Sequence, residues 1–162
     1  MTKKEDMLTW FDQMIDTYIG DAYDVAINWD NRHHQIEITM RLFAENKEDL
    51  AVVDVCNVAA ESIIEFEDSL LLYSGEKQNI DFADYLATFS FNRRQGMEKA
   101  KMAAIIMMLR EVLDEGQSDL LDFMTDETVE EFELHWPEEE WQRTLQQAQQ
   151  IYPNTLVRYP KF

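Results

Sequence analysis

The chain has 162 residues and a formal net charge of −19, with 33 Asp and Glu against 14 Lys and Arg. Such an acid excess repels phosphate backbones and anionic lipids, which argues against direct nucleic-acid binding and against a membrane surface. The 46 % of hydrophobic residues exclude a disordered acidic tail.

Residues 1–100 contribute −11 and residues 101–162 contribute −8, so the acidity is spread along the chain. With no composition break, repeat or linker, the sequence reads as a single domain over residues 1–162. Cys56 is the only cysteine, so no intrachain disulfide can form. The N-terminus turns acidic at Glu5-Asp6, and the longest apolar run, Met102 to Leu109, is eight residues. A bilayer span needs about 20. These features predict a cytoplasmic protein.

Residues 5–19 predict a helix, because Met7, Leu8, Phe11, Met14, Ile15 and Tyr18 recur at three- and four-residue steps before Gly20. From Tyr23 the period becomes two. Tyr23, Val25, Ile27 and Trp29 form one strand face, and Ile36, Ile38, Met40 and Leu42 a second after the polar turn at 30–33. The pair predicts a β-hairpin with one buried face.

Residues 45–49 read as a loop, and Leu50 to Ala60 fits strand or helix equally. Ser62 to Glu67 and Leu70 to Tyr73 predict another hairpin around an Asp68-Ser69 turn. Residues 74–81 are a polar connection, and Tyr85, Ala87, Phe89 and Phe91 mark a further strand. Met97 to Leu113 predicts a central helix, apolar over most of its circumference and closed by Gly116. A second helical pattern covers roughly Ser118–Trp136. A third follows Pro137, with Glu138, Glu139 and Glu140 where the helix dipole favours anions. Pro153 and Pro160 bracket an irregular tail. The fold expected is α+β: a mostly antiparallel sheet of four to six strands, an N-terminal helix, and a C-terminal layer of two to three helices.

Between Glu111 and Glu140 lie thirteen carboxylates and no Lys or Arg. If 118–136 is one helix, Glu115, Asp119, Asp122, Asp126, Glu130 and Glu133 fall in a stripe about 80° wide, opposite Leu120, Leu121, Met124 and Phe132. That stripe is a candidate face for a basic partner. A plain solvated face has the same pattern, and a break at Thr125–Thr128, where Thr128 and Glu131 have capping-box spacing, would dissolve it.

Other motifs carry less. Asp114-Glu115-Gly116 places its glycine third, where a calcium loop needs it sixth. Glu131 and His135 form one isolated pair, and His33-His34 lacks further ligands, so no metal site is assigned. No cation or histidine adjoins Cys56 to activate it, and a small buried apolar side chain is the simpler role. The four glycines are isolated, which excludes a phosphate loop, and no nucleophile elbow occurs. With 33 acids, proximity alone identifies no acid–base pair. Arg93-Arg94, the one arginine doublet, stands between a strand and the central helix, where it fits an anion at that helix's N-terminus or a loop offsetting local acidity.

Three stretches carry a resemblance: Tyr23-Asp24-Val25-Ala26 with Trp29-Asp30, Ile64-Glu65-Phe66-Glu67-Asp68, and Gly116-Gln117-Ser118-Asp119-Leu120-Leu121-Asp122-Phe123. They resemble a domain-of-unknown-function family of small acidic proteins from low-GC Gram-positive, lactic-acid-type bacteria. The resemblance runs to about residue 125. It implies a bacterial, cytoplasmic, single-domain protein and transfers no activity.

With no catalytic constellation and no cofactor motif, the expected function is a non-enzymatic interaction module, chaperone-like or regulatory, that shows an acidic face to a basic protein. The chaperone-like reading rests on fold-level analogy. An acidic nucleic-acid mimic and a carboxylate-metal enzyme are the alternatives from other classes, and acidity serving solubility alone is a third. The sequence sets no oligomeric state.

Overall fold

The structure is a computed structural model describing residues 5–45, 63–75, 79–125 and 132–160. Helix α1 spans Met7–Tyr18. Its start is fixed by reciprocal caps: Thr9 N–H donates to Asp6 Oδ1, and Asp6 N–H donates to Thr9 Oγ1, both at 2.9 Å. Gly20, at φ +57°, ends it. Met7, Trp10, Phe11, Met14 and Ile15 form its buried face.

Strands β1 (Asp24–Asp30) and β2 (Gln35–Glu45) form the expected antiparallel hairpin. Strand β3 (Ile63–Ser74) pairs antiparallel with β2 along its whole length. Strand β4 (Ala87–Phe91) then joins β3 in parallel, giving the order β1-β2-β3-β4.

The expected Asp68-Ser69 turn is instead the middle of β3, with Asp68 opposite Met40 and Ser69 opposite Thr39. The eleven residues of β2 offer a continuous ladder that outweighs local turn propensity. β4 reaches β3 only from Leu70 onward, and the Ser69 N–H, which faces the β4 side, donates to Asp68 Oδ1 at 2.8 Å. Ser69 O accepts from Leu86 N–H at 2.8 Å.

Three corrections concern the second half. Strand β5 (Met97–Glu98) precedes the central helix and pairs with β6 (Leu156–Val157), so the tail is not wholly irregular. Helix α2 then runs over Lys99–Thr125 without stopping at Gly116. Gly116 is buried inside it, and a β-carbon there would sit 2.3 Å from Leu134 Cδ2. The separate helix expected over 118–136 is not formed. Its first part belongs to α2, and residues 132–137 carry no regular structure. Phe132, Leu134 and Trp136 turn inward while Glu133 and His135 face solvent, a period of two rather than 3.6.

After Pro137, a single 3-10 turn over Glu138–Glu140 leads into helix α3 (Trp141–Ile151). The sheet's inner face (Ile36, Ile38, Met40, Leu42, Leu70, Leu72) packs with α1 and α2 in one core. Among the described residues no helix is long and apolar enough to cross a membrane. The 45–49 loop, the ambiguous Leu50–Ala60 segment and Cys56 fall wholly or almost wholly outside the described residues.

Candidate functional site

The candidate acidic residues divide into three groups. Glu115, Asp119 and Asp122 lie on α2, spaced four and three residues apart on one exposed face. Asp126 and Glu130 lie outside the described residues. Glu133 is exposed but belongs to the extended segment 132–137, so the six do not form one helical stripe.

The extended segment nevertheless brings Glu133 back beside α2. Phe132 meets Phe66 of β3 edge-on at 4.7 Å and Phe123 of α2 at 6.4 Å. Leu134 then fills the space above Gly116. Between them, Ile64, Glu65, Phe66, Leu120, Phe123, Phe132 and Glu133 line a recess of about 380 Å³. Its floor is apolar and two of its rim residues are acids. Ile64 is exposed there, which leaves an apolar contact at the mouth.

Charge around this recess is unevenly neutralised. Arg41 pairs with Glu67 at 2.9 Å and Glu65 at 3.4 Å across β2 and β3. Arg110 binds Asp114 at 3.1 Å. Among the described residues, Glu111, Glu115, Asp119, Asp122 and Glu133 have no ion-pair partner. The helix thus offers uncompensated negative charge beside an apolar opening, a combination that suits an amphipathic cationic segment.

Asp68, half-buried in β3 where it helps line a polar trough with Ser69 and Asp84, differs from these acids. Desolvation pushes its carboxyl above the usual range, opposed by the hydrogen bond from Ser69 N–H. On the outer face, Asp24, Glu37, Glu67, Asp84 and Arg41 share a polar trough. Among the described residues no group of three or more His, Cys, Asp and Glu is placed to hold a metal ion.

The histidines find local partners. His33 Nδ1 lies 2.7 Å from Asp30 Oδ2, and that hydrogen bond leads the causes that lower the Asp30 carboxyl. His135 is 3.9 Å from Glu139, while Glu131 lies outside the described residues. Arg93 and Arg94 do not sit at the α2 N-terminus, since β5 intervenes and Lys99 N–H donates to Thr155 O at 2.9 Å. They line a recess with residues of the β1–β2 turn and the tail.

The sequence pattern of the family described as "Protein of unknown function (DUF3013)" matches residues 1–161. The chain belongs to the DUF3013 family. The match extends well past residue 125, where the resemblance read from the sequence stopped. The crystal structure described as "Conserved Protein of Unknown Function from Enterococcus faecalis" is 40 % identical to this chain, covers 99 % of both chains and superposes with a TM-score of 0.86. That source is a low-GC Gram-positive bacterium. No curated protein matches the chain.

The residues that sequence reasoning missed are the apolar half of the recess, Ile64, Phe66 and Phe132. The helical pattern over 118–136 puts Phe132 on a helix face, although its alternation with Leu134 and Trp136 carries the period-two signal.

Proposed function

We propose that this DUF3013 protein is a non-enzymatic cytoplasmic interaction module, regulatory or chaperone-like, whose partner is a basic protein segment carrying an apolar anchor. One observation carries the reading: Glu115, Asp119 and Asp122, unpaired among the described residues, lie on the helix whose Leu120 and Phe123 line an apolar recess. Electrostatic attraction guides a cationic segment to the helix, and burial of one side chain in the recess holds it. A nucleic-acid mimic needs carboxylates along one continuous face, whereas Glu133 rejoins α2 across an apolar floor.

The test is affinity capture from host lysate at low and high salt, with the wild type, an Asp119→Lys/Asp122→Lys variant and Ile64→Gln. The expected result is a protein retained at low salt by the wild type, released at high salt, and lost from both variants. Retention that ignores salt and both variants overturns the proposal.

A further inference from the structure

The strongest concentration of positive charge lies away from the acidic helix. Nine Lys and Arg occur among the described residues, and three of them, Arg93, Arg94 and Arg158, line one recess of about 550 Å³. Asn31, His34, Tyr159 and Pro160 complete its lining, and no carboxylate among the described residues does so. In a chain of net charge −19, this clustering runs against the overall balance.

The residues arrive from three distant parts of the chain, and each part is held firmly. The turn carrying Arg93 and Arg94 is closed by Asn92, whose Oδ1 accepts from Arg94 N–H and Gln95 N–H at 2.9 Å each. Gly96 allows the turn to pass the tail, with φ +81° and a β-carbon position only 1.8 Å from Val157 O. The tail is pinned on both sides of Arg158: Arg158 O accepts from Met7 N–H at 3.0 Å, and the Tyr159 ring stacks on Phe91 at 5.3 Å and 15°. The Tyr159 hydroxyl accepts from Trp29 Nε1 at 2.6 Å. His34, in the left-handed region at φ +54°, sets its ring edge-on to Tyr159 at 5.9 Å.

The side chains of Arg94 and Arg158 have no ion-pair partner among the described residues. Like charges held together on fixed backbone repel one another. An anion reverses the sign of that interaction. Guanidinium groups bind a phosphate dianion through paired, charge-assisted hydrogen bonds. The Debye length in physiological salt is about 8 Å, so acids beyond that distance are largely screened from a small ligand. A polyanion extends past that range and meets the acidic surface. The recess falls within the ~300–1,000 Å³ typical of small-molecule sites and is larger than a bare phosphate needs.

We propose that this recess binds a small phosphomonoester, its dianionic phosphate held by Arg94 and Arg158 with His34 and Tyr159 forming the wall. The site is separate from the acidic recess on α2, and neither proposal depends on the other.

The experiment uses the full chain and reads thermal midpoint and calorimetric affinity with inorganic phosphate, adenosine monophosphate, glucose 6-phosphate and succinate. Expected is a raised midpoint with at least one phosphomonoester and binding at least tenfold stronger than that of inorganic phosphate. Arg94→Ala and Arg158→Ala should each weaken that binding at least tenfold. Arg143→Ala removes the same charge from α3, outside the recess, and should change affinity less than threefold. No binding by either phosphomonoester overturns the proposal, as does inorganic phosphate binding as well as both. Succinate binding at least as well as the best phosphomonoester, or equal losses in all three variants, also overturns it.

Discussion

Leu134 occupies the space that a side chain on Gly116 would need: its Cδ2 lies 2.3 Å from the position of a β-carbon there, and Leu42 Cδ1 lies 3.3 Å away. This contact lets α2 pass Gly116 without ending and seats segment 132–137 against the helix. It also creates the recess, since Phe132 and Glu133 reach α2 through the same segment.

The relationship predicts strong coupling between the two positions. Alanine at 116 gains about 1 kcal/mol of helix propensity over glycine. Against that, the end of the Leu134 side chain must move. Gly116→Ala alone should therefore change stability by less than about 1 kcal/mol, while Leu134→Ala alone should cost about 2–4 kcal/mol as a buried truncation. In the Leu134→Ala background the clash is gone, and Gly116→Ala should stabilise by up to about 1 kcal/mol. Urea unfolding of the four proteins measures the cycle, and strict additivity would refute the contact.

What the sequence disclosed follows from where the decisive interactions lie. Helix α1 and the β1–β2 hairpin are specified locally, by an Asp6–Thr9 capping box and by clean alternation through Trp29 and Ile36, and both were legible. Asp68-Ser69 reads as a turn because aspartate and serine are turn formers, yet the same pair can sit inside a paired strand. Only the length of β2 distinguishes the two. Gly116 reads as a helix stop until Leu134, 18 positions on, is known to lie over it. The arginine recess was illegible for the same reason, because His34, Arg94 and Arg158 meet only in three dimensions. Of the acidic candidates, Glu115, Asp119 and Asp122 share a face of α2, and Glu133 reaches the same region by a route the helical reading did not contain.

Asp68 should make stability fall as pH rises. Its carboxyl is raised in the folded protein, first by desolvation, so the fold favours the protonated form. The favourable contribution is complete below the unfolded value near pH 4 and disappears as pH climbs through the raised folded value. Asp68→Asn retains an oxygen for Ser69 N–H and does not ionise. The variant should melt above the wild type at pH 7, by less than about 1 kcal/mol because the side chain keeps contact with water. The advantage should vanish below about pH 4. An advantage that stays constant with pH, or grows on acidification, would refute this account.

Arg110 ties three elements together from the middle of α2. Its Nε donates to both oxygens of Asp114 at 3.1 Å, and its Nη1 donates to Tyr18 O at 3.2 Å, with Ile19 O at 3.5 Å, at the end of α1. Tyr23, just before β1, donates its hydroxyl to the same Asp114 at 2.6 Å. Burial and then that hydrogen bond push the Tyr23 phenol up to about 12, with Arg110 acting in the opposite direction. The folded value is raised, so the neutral phenol's contribution is intact below about pH 10 and is lost as pH passes through about 12. Arg110→Ala should cost about 1–2 kcal/mol, since charge-assisted bonds to the exposed end of a helix are lost. It should also raise the Tyr23 phenol further, because Asp114 is then no longer neutralised. Arg110→Lys should recover less than half of the stability, as one ammonium cannot span the carboxylate and the Tyr18 carbonyl in the same geometry. Chemical denaturation near neutral pH and ultraviolet titration of the tyrosines read the two effects separately. A Tyr23 value that falls in Arg110→Ala would refute the network's assigned direction.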